Sequence, residues 1–121
     1  MMKWLRPPTD PREVGSEPDY RFTLANERTF LAWIRTALAL AAGGLAVIGI
    51  IDDLYGREIL GLMLLALSFA TAASSFRRWV ANERAMRLGE PLPASILPRL
   101  LAIGTALIGI AAAVLFAIGE M

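Results

Sequence analysis

Three arginines stand seven residues apart where the first apolar segment of this 121-residue chain begins. They are Arg21, Arg28 and Arg35, and the surrounding sequence from residue 24 to residue 44 is LANERTFLAWIRTALALAAGG. An α-helix advances about 100° per residue, so this spacing places the three side chains nearly in line along about 21 Å of helix. Guanidinium groups bind phosphate through two parallel hydrogen bonds. The line therefore favours a basic face that could bind anions such as phosphate.

A second basic cluster closes the second apolar segment. Arg77 and Arg78 end that segment, and we interpret them as further anion-binding residues. The competing interpretation is that the arginines bend toward the membrane surface and hold anionic lipid headgroups. The two interpretations differ in whether the charges face a polar interior shared with neighbours or the lipid.

The tetrapeptide ANER occurs once in each basic cluster, at residues 25–28 and 81–84. Each copy supplies a carboxylate, Glu27 or Glu83, beside an arginine. Chance with ordinary salt bridges on each helix is one explanation, and a pair between the copies, such as Glu27 with Arg84, is the other. In either case the carboxylate would orient an arginine rather than take part in a reaction.

The composition argues against an enzyme and against nucleic-acid binding. The chain has no His and no Cys, which excludes imidazole and thiolate catalysis and most zinc or haem sites. Carboxylates are present, but none are spaced as metal ligands, so we expect no catalytic residue, no metal and no cofactor. The basic residues lie beside the apolar segments and alternate with acids, which does not fit a nucleic-acid interface.

Three apolar blocks must position these charges. Hydrophobic residues make up 56% of the chain and the mean hydropathy is +0.54, which is high for a small soluble domain. The blocks predict an all-α integral membrane domain over residues 20–119, with spans at about 30–51, 59–80 and 96–119. Helices 1 and 2 are expected to extend beyond the membrane. Residues 1–19 are polar and rich in proline, and we expect a flexible tail there.

The helix limits and the orientation follow from local signals. Helix 1 is predicted to begin between Asp19 and Thr23, and helix 2 to end at Gly89. Of the twelve Lys and Arg residues, Arg57 alone lies in the first loop and none follows the third span. The positive-inside rule therefore places the N-terminus and the second loop on the cytoplasmic side of a plasma or inner membrane, and the first loop and the C-terminus on the outer side.

Small residues four positions apart give each span a smooth stripe. Helices in lipid associate through such stripes because the backbones approach closely. Three helices share little interior, so we expect some stripes to join copies in a homo-oligomer. The stripes are Thr105, Gly109, Ala113 and Ala117 in the third span, Ala66, Ala70 and Ser74 in the second, and Ala37, Ala41, Gly43 and Gly44 in the first.

Three stretches of the chain resemble a known family. NERTFLAWIRTALAL, DLYGRE and FRRWVANERAMRLGEPLP are similar to the YidH-like family of small inner-membrane proteins, domain of unknown function 202, and the resemblance covers about residues 20–118. The same family includes the small membrane subunit of the eukaryotic vacuolar transporter chaperone complex, which makes and translocates polyphosphate. There, three-helix domains surround a central pore lined by basic residues.

The resemblance implies roles for particular arginines. Arg28 is the arginine of the NERTF motif, Arg21 matches the basic residue seven positions earlier, and Arg77 or Arg78 matches the one that closes the second span. Arg35 stands where the eukaryotic subunit has an uncharged residue, so the resemblance assigns it no role. The chain also contains no soluble polymerase domain and no phosphate-sensing domain, so polyphosphate enters by analogy.

Two functions follow from these patterns. The first is an oligomeric channel or translocation subunit in which Arg21, Arg28, Arg35, Arg77 and Arg78 bind a phosphate-rich anion and Glu27, Glu83 and Arg84 support them by salt bridges. The second is a structural or scaffolding subunit whose arginines bind anionic lipid or an acidic partner. Membrane lipid is a partner in both, and the small-residue stripes predict further copies of the chain.

Overall fold

The computed structural model describes residues 15–120, which form three α-helices joined by two loops. The helices are α1 (Tyr20–Gly49), α2 (Arg57–Leu88) and α3 (Leu97–Gly119), and the described part of the chain contains no strand. Each helix has a stretch long and apolar enough to cross a membrane. The predicted all-α fold with three spanning helices is confirmed. Its orientation stays a prediction, and most of the predicted tail, residues 1–14, lies outside the described residues.

Asp19 caps the start of α1, within the predicted interval. Its carboxylate accepts a hydrogen bond from the Arg21 backbone N–H at 2.9 Å and forms an ion pair with the Arg21 guanidinium, also at 2.9 Å. The side-chain bond from Arg21, followed by the backbone bond, lowers the pKa of the Asp19 carboxyl below its usual value of 3.8. The cap satisfies one of the backbone donors that the first turn leaves without a partner.

This cap should make the start of α1 sensitive to acid. A carboxyl whose pKa is lowered on folding stabilises the fold above its unfolded pKa, and the stabilisation is lost as the pH falls through the folded value. We therefore expect amide hydrogen exchange at Arg21, Phe22 and Thr23 to speed up below pH 3.8, relative to intrinsic rates. Asp19→Ala should give the faster exchange at neutral pH. Protection that is unchanged in Asp19→Ala would contradict the cap.

Helix α2 is the centre of the molecule, and α1 and α3 both pack against it. Within the described residues, no Cα atom of α1 lies within 8 Å of a Cα atom of α3. Helices α1 and α2 approach each other closely at two glycines: a Cβ on Gly44 would lie 2.8 Å from the Gly61 carbonyl oxygen. Nearby, Ser68 Oγ donates a hydrogen bond across the interface to the Ala37 carbonyl oxygen at 2.6 Å. The hairpin of α1 and α2 is thus stabilised by close approach of the two backbones, which is the usual way in which helices associate in lipid.

Helix α3 is attached more lightly. Leu97 is fully buried at its start, and Gly104 packs against the Leu67 side chain of α2. None of the most apolar 18-residue stretch of α3 is buried within the chain, so lipid or another copy must cover it. The small residues of its predicted stripe, Thr105, Gly109, Ala113 and Ala117, are all exposed.

The stripe predicted on α2 is shifted by one residue from the face that the structure buries. Leu67, Thr71 and Ser75 are buried, whereas Ala66 is exposed and Ala70 and Ser74 are half-buried. One residue is about 100° of helix rotation, so α2 turns a different side to its neighbours than residue size alone suggests. At its end, Gly89 adopts a left-handed conformation with φ of 68° and closes the helix as predicted.

Candidate functional site

The two ANER copies meet where α1 begins and α2 ends. Because the helices are antiparallel neighbours, Asn26 lies opposite Asn82, and both are buried. Asn82 Nδ2 donates to Asn26 Oδ1 at 3.3 Å, and Asn26 Nδ2 donates to the Trp79 carbonyl oxygen at 3.0 Å. The repeated asparagine therefore joins the two helices.

Glu83 is a buried carboxylate beside these asparagines, with a residue exposure of 6%. It accepts hydrogen bonds from Asn26 Nδ2 at 3.3 Å and from Thr23 Oγ1 at 3.4 Å. Among the described residues no Lys or Arg nitrogen lies within 4.0 Å of it. Neutral donors alone hold this carboxylate. We call Thr23, Asn26, Asn82 and Glu83 the ANER cluster.

The structure does not form the suggested pair between Glu27 and Arg84. Both side chains are exposed, and no ion pair joins them in the described part of the chain. The reason is helical rotation: Glu27 follows the buried Asn26 by one residue, so it turns about 100° away from α2. The contact between the copies runs through the asparagines and Glu83 instead.

Sequence reasoning missed Asn26, Asn82 and Thr23 as the residues that join the helices. A signal was present, because the repeat duplicates the asparagine as well as the charges. An amide is both donor and acceptor, so two of them on facing helices can satisfy each other. Attention to arginine chemistry alone overlooked this.

Arg21, Arg28 and Arg35 form an exposed line, which we call the arginine face. The α1 residues buried against α2 are Asn26, Ala37 and Gly44. At about 100° per residue, Arg28 lies about 200° from Asn26 and Arg35 about 160° from Ala37. The arginine face is thus on the side of α1 opposite α2. Since α3 does not reach α1, no helix of the described chain covers it.

Aromatic side chains pack beside the ANER cluster on its membrane side. Phe30 of α1 lies 6.5 Å from both Phe76 and Trp79 of α2, and the latter two rings are stacked at 6.2 Å, measured between centroids. Such ring pairs add specific geometry to the burial of apolar surface. Together with the asparagine contacts they set the rotation of α1 about its axis, and hence the direction of the arginine face.

Arg77 and Arg78, which sequence alone did not distinguish, have different surroundings. Arg77 is exposed. Arg78 is partly buried, and its Nη1 is buried without a hydrogen-bond partner among the described residues. It lines a cleft of about 190 Å³ between α1 and α2, together with Asn26, Thr29 and Asn82.

The chain preceding α1 crosses the end of α2. The Ser16 N–H donates to the Arg87 carbonyl oxygen at 3.1 Å. Glu17 and Pro18 then border a second cleft of about 410 Å³, which the Glu83 carboxylate also lines. The described residues contain no group of three or more acidic side chains that could hold a metal ion.

Other proteins are similar in sequence to the part of the chain that carries these residues. Residues 21–85 match the family model described as Domain of unknown function (DUF202). The inner membrane protein YidH of Escherichia coli (strain K12) is 51% identical over 83 residues, 66% of this chain and 72% of YidH. An uncharacterized protein of Mycobacterium tuberculosis (strain ATCC 25618 / H37Rv) is 46% identical over 99 residues, 79% of this chain and 81% of that protein. No solved structure matches the chain. The family match includes the arginine face, the ANER cluster and Arg78.

Proposed function

The chain belongs to the DUF202 family and is a membrane protein, and on that premise we propose that its copies assemble into a path for a phosphate-rich anion. The path would lie in the inner membrane, with the N-terminus and the second loop in the cytoplasm. The arginine faces of several copies would surround a shared axis. The uncovered small-residue stripe of α3 would be free to pack against lipid or a neighbouring copy.

One observation carries this proposal: the arginine face is turned away from α2, and no helix among residues 15–120 covers it. Arg35 lies five residues inside the span predicted to begin at about residue 30, which is about 7.5 Å along the helix axis. A guanidinium surrounded by lipid is unfavourable, by up to a few kcal/mol at the centre of the bilayer. Facing a water-filled axis removes most of that cost. Charged residues inside membranes are usually found in such places.

The mechanism would be electrostatic. Arg21 and Arg28 would concentrate the anion at the cytoplasmic mouth, and Arg35 would receive it further along the path. Repeated around an axis, each arginine becomes a ring, and rings of arginine suit anion or phosphate pores. Several moderate sites in series let an anion enter and leave. An anion in the path also offsets the repulsion among the guanidinium groups. The resemblance of Arg21 and Arg28 to pore-lining residues of a polyphosphate-translocating subunit supports this assignment.

The test is flux through liposomes that contain the purified protein. We expect inorganic phosphate or polyphosphate to cross faster than in protein-free liposomes. Arg28→Gln combined with Arg35→Gln should lower the flux about tenfold or more, because each lost ring removes a site that attracts the anion. A loss of about 1.4 kcal/mol of attraction corresponds to a tenfold weaker binding of the anion. Arg99→Gln, an exposed arginine at the start of α3, is the control and should keep the flux.

Two results would end the proposal. One is equal flux in the double variant and the unaltered protein, and the other is no flux above the protein-free level. The second result, combined with anionic lipid that co-purifies and is lost in the double variant, would establish the structural role in which the arginine face holds lipid headgroups.

A further inference from the structure

The cleft between α1 and α2 beside the ANER cluster contains an unusual feature, a buried guanidinium nitrogen of Arg78 that has no hydrogen-bond partner among the described residues. This nitrogen is Nη1. Buried polar atoms are nearly always hydrogen-bonded, and an exception calls for a missing partner such as an ion or a water. For a charged guanidinium the cost of leaving the donor unsatisfied is larger than for a neutral group. Among the described residues, none supplies an acceptor for this nitrogen.

The other lining residues indicate which acceptor fits. Apolar side chains such as Phe22 and Leu92 line the cleft together with the neutral amide of Asn82. Arg78 is the one charged residue among the described residues that line it, and none of these supplies a carboxylate that would compete for the guanidinium. Asn82 Nδ2 uses one hydrogen in its bond to Asn26 and retains a second N–H. A planar fork of donors with a nearby amide matches an oxyanion, and phosphate above all.

Size and apolar walls narrow the choice. The volume of about 190 Å³ is smaller than the roughly 300–1,000 Å³ of pockets for drug-sized ligands, so the cleft suits one small group. Phe22 and Leu92, each 61% exposed, stand at its edge and offer apolar surface beside the charge. A phosphate group attached to or lying beside an apolar group would fit both the small volume and the apolar edge of the cleft.

We propose that this cleft binds a phosphate group through Arg78 and Asn82. The group comes from an anionic lipid headgroup or from a free phosphate, and the chemistry at Arg78 is the same. The site lies between two helices of one chain, whereas the arginine face is on the other side of α1. The inference gives Arg78, which the sequence predicts as an anion-binding residue, a site of its own, and it does not depend on the proposed anion path.

The experiment compares three probes on delipidated, detergent-solubilised full-length protein. Short-chain phosphatidylglycerol carries the phosphate and the chains, short-chain diacylglycerol the chains alone, and inorganic phosphate the anion alone. Native mass spectrometry measures the bound lipids, and the shift in thermal unfolding temperature measures all three. We expect phosphatidylglycerol, inorganic phosphate or both to bind, and diacylglycerol not to. Which of the two binds identifies the source of the phosphate, and each of these results supports the site.

Two variants locate the binding. Arg78→Gln should weaken phosphate-dependent binding about tenfold or more, because a charge-assisted hydrogen bond is lost. Ala25→Leu fills the cleft without changing any charge and should weaken phosphate-dependent binding similarly. Because Ala25 is exposed, the protein can accommodate the longer side chain and still fold. Without any probe, Arg78→Gln should unfold at the same temperature as the unaltered protein or higher, since an unsatisfied buried donor is removed. A purely structural arginine would show the opposite shift.

Further variants separate this site from the arginine face. Arg28→Gln with Arg35→Gln should keep the binding that Arg78→Gln loses, whatever that double variant does to flux, and Arg99→Gln should keep it as well. The site is refuted if diacylglycerol binds as well as phosphatidylglycerol, or if neither phosphate probe binds. It is also refuted if Arg78→Gln and Ala25→Leu bind both phosphate probes as tightly as the unaltered protein.

Discussion

Replacing Asn26 with alanine should destabilise the protein by about 3 kcal/mol, because one truncation removes hydrogen-bond partners from two buried side chains and from a partly buried carbonyl oxygen. Asn26 donates to the Trp79 carbonyl oxygen and to Glu83, and it accepts from Asn82. Each buried polar group that loses its partner costs about 1–3 kcal/mol, and water that enters from the adjacent clefts recovers part of it. Glu83 matters most, since it would keep Thr23 as its single neutral donor.

The ANER motif itself supplies the matched control. Glu27→Ala alters the next residue, which is exposed, and should change the free energy of unfolding by no more than about 0.5 kcal/mol. Glu83→Gln retains an acceptor of the same shape and removes a buried charge, so it should be far milder than Asn26→Ala. Unfolding in mixed detergent micelles, followed by tryptophan fluorescence, measures all three. Equal stability of Asn26→Ala and Glu27→Ala would show that the ANER cluster does not join the helices.

Asn26→Ala also tests how the cluster affects function. If the asparagine contacts set the rotation of α1, loosening them lets the arginine face turn away from the proposed axis. Flux should then fall although every arginine is still present. Retained flux in a measurably destabilised Asn26→Ala protein would separate the cluster from the path.

The second large effect is expected at the crossing of α1 and α2. Gly61→Leu should separate the helices and cost about 3 kcal/mol or more, at the upper end of overpacking substitutions. A Cβ at Gly61 meets the Gly44 carbonyl oxygen at 2.8 Å as well as the Ile48 side chain. A side chain can rotate out of the way, but a backbone oxygen cannot, so the helices themselves must move. Gly44→Val should act in the same way, because its Cβ meets the Gly61 carbonyl oxygen.

Gly43 is the matched control for this crossing. No atom lies within 4 Å of a Cβ built there, although it is next to Gly44 in the same helix. Gly43→Ala should be neutral or stabilise by up to about 1 kcal/mol, as alanine favours the helix over glycine. The same unfolding assay compares the three variants. If Gly61→Leu and Gly43→Ala are equally stable, the helices do not approach closely at this point.

Much of the architecture was predictable because it rests on local properties of the chain. Three long uncharged stretches separated by Pro, Gly and acidic residues specify three spanning helices in any environment without water. Asp19 and Gly89 end their helices through interactions with their own neighbours, so the limits of α1 and α2 followed from residue type. The alignment of Arg21, Arg28 and Arg35 is likewise a consequence of helical periodicity alone.

Only the tertiary structure decided which side of each helix faces another. The sequence by itself determined that the three arginines share one line. Packing at Gly44 and Gly61, together with the asparagine and aromatic contacts nearer the start of α1, determined that this line points away from α2. The same packing buried Asn26 rather than Glu27, and Arg78 more deeply than Arg77. The physical reason is that a one-residue change of contact rotates a helix by about 100°. Close contacts between two backbones, which no local pattern contains, select among these rotations.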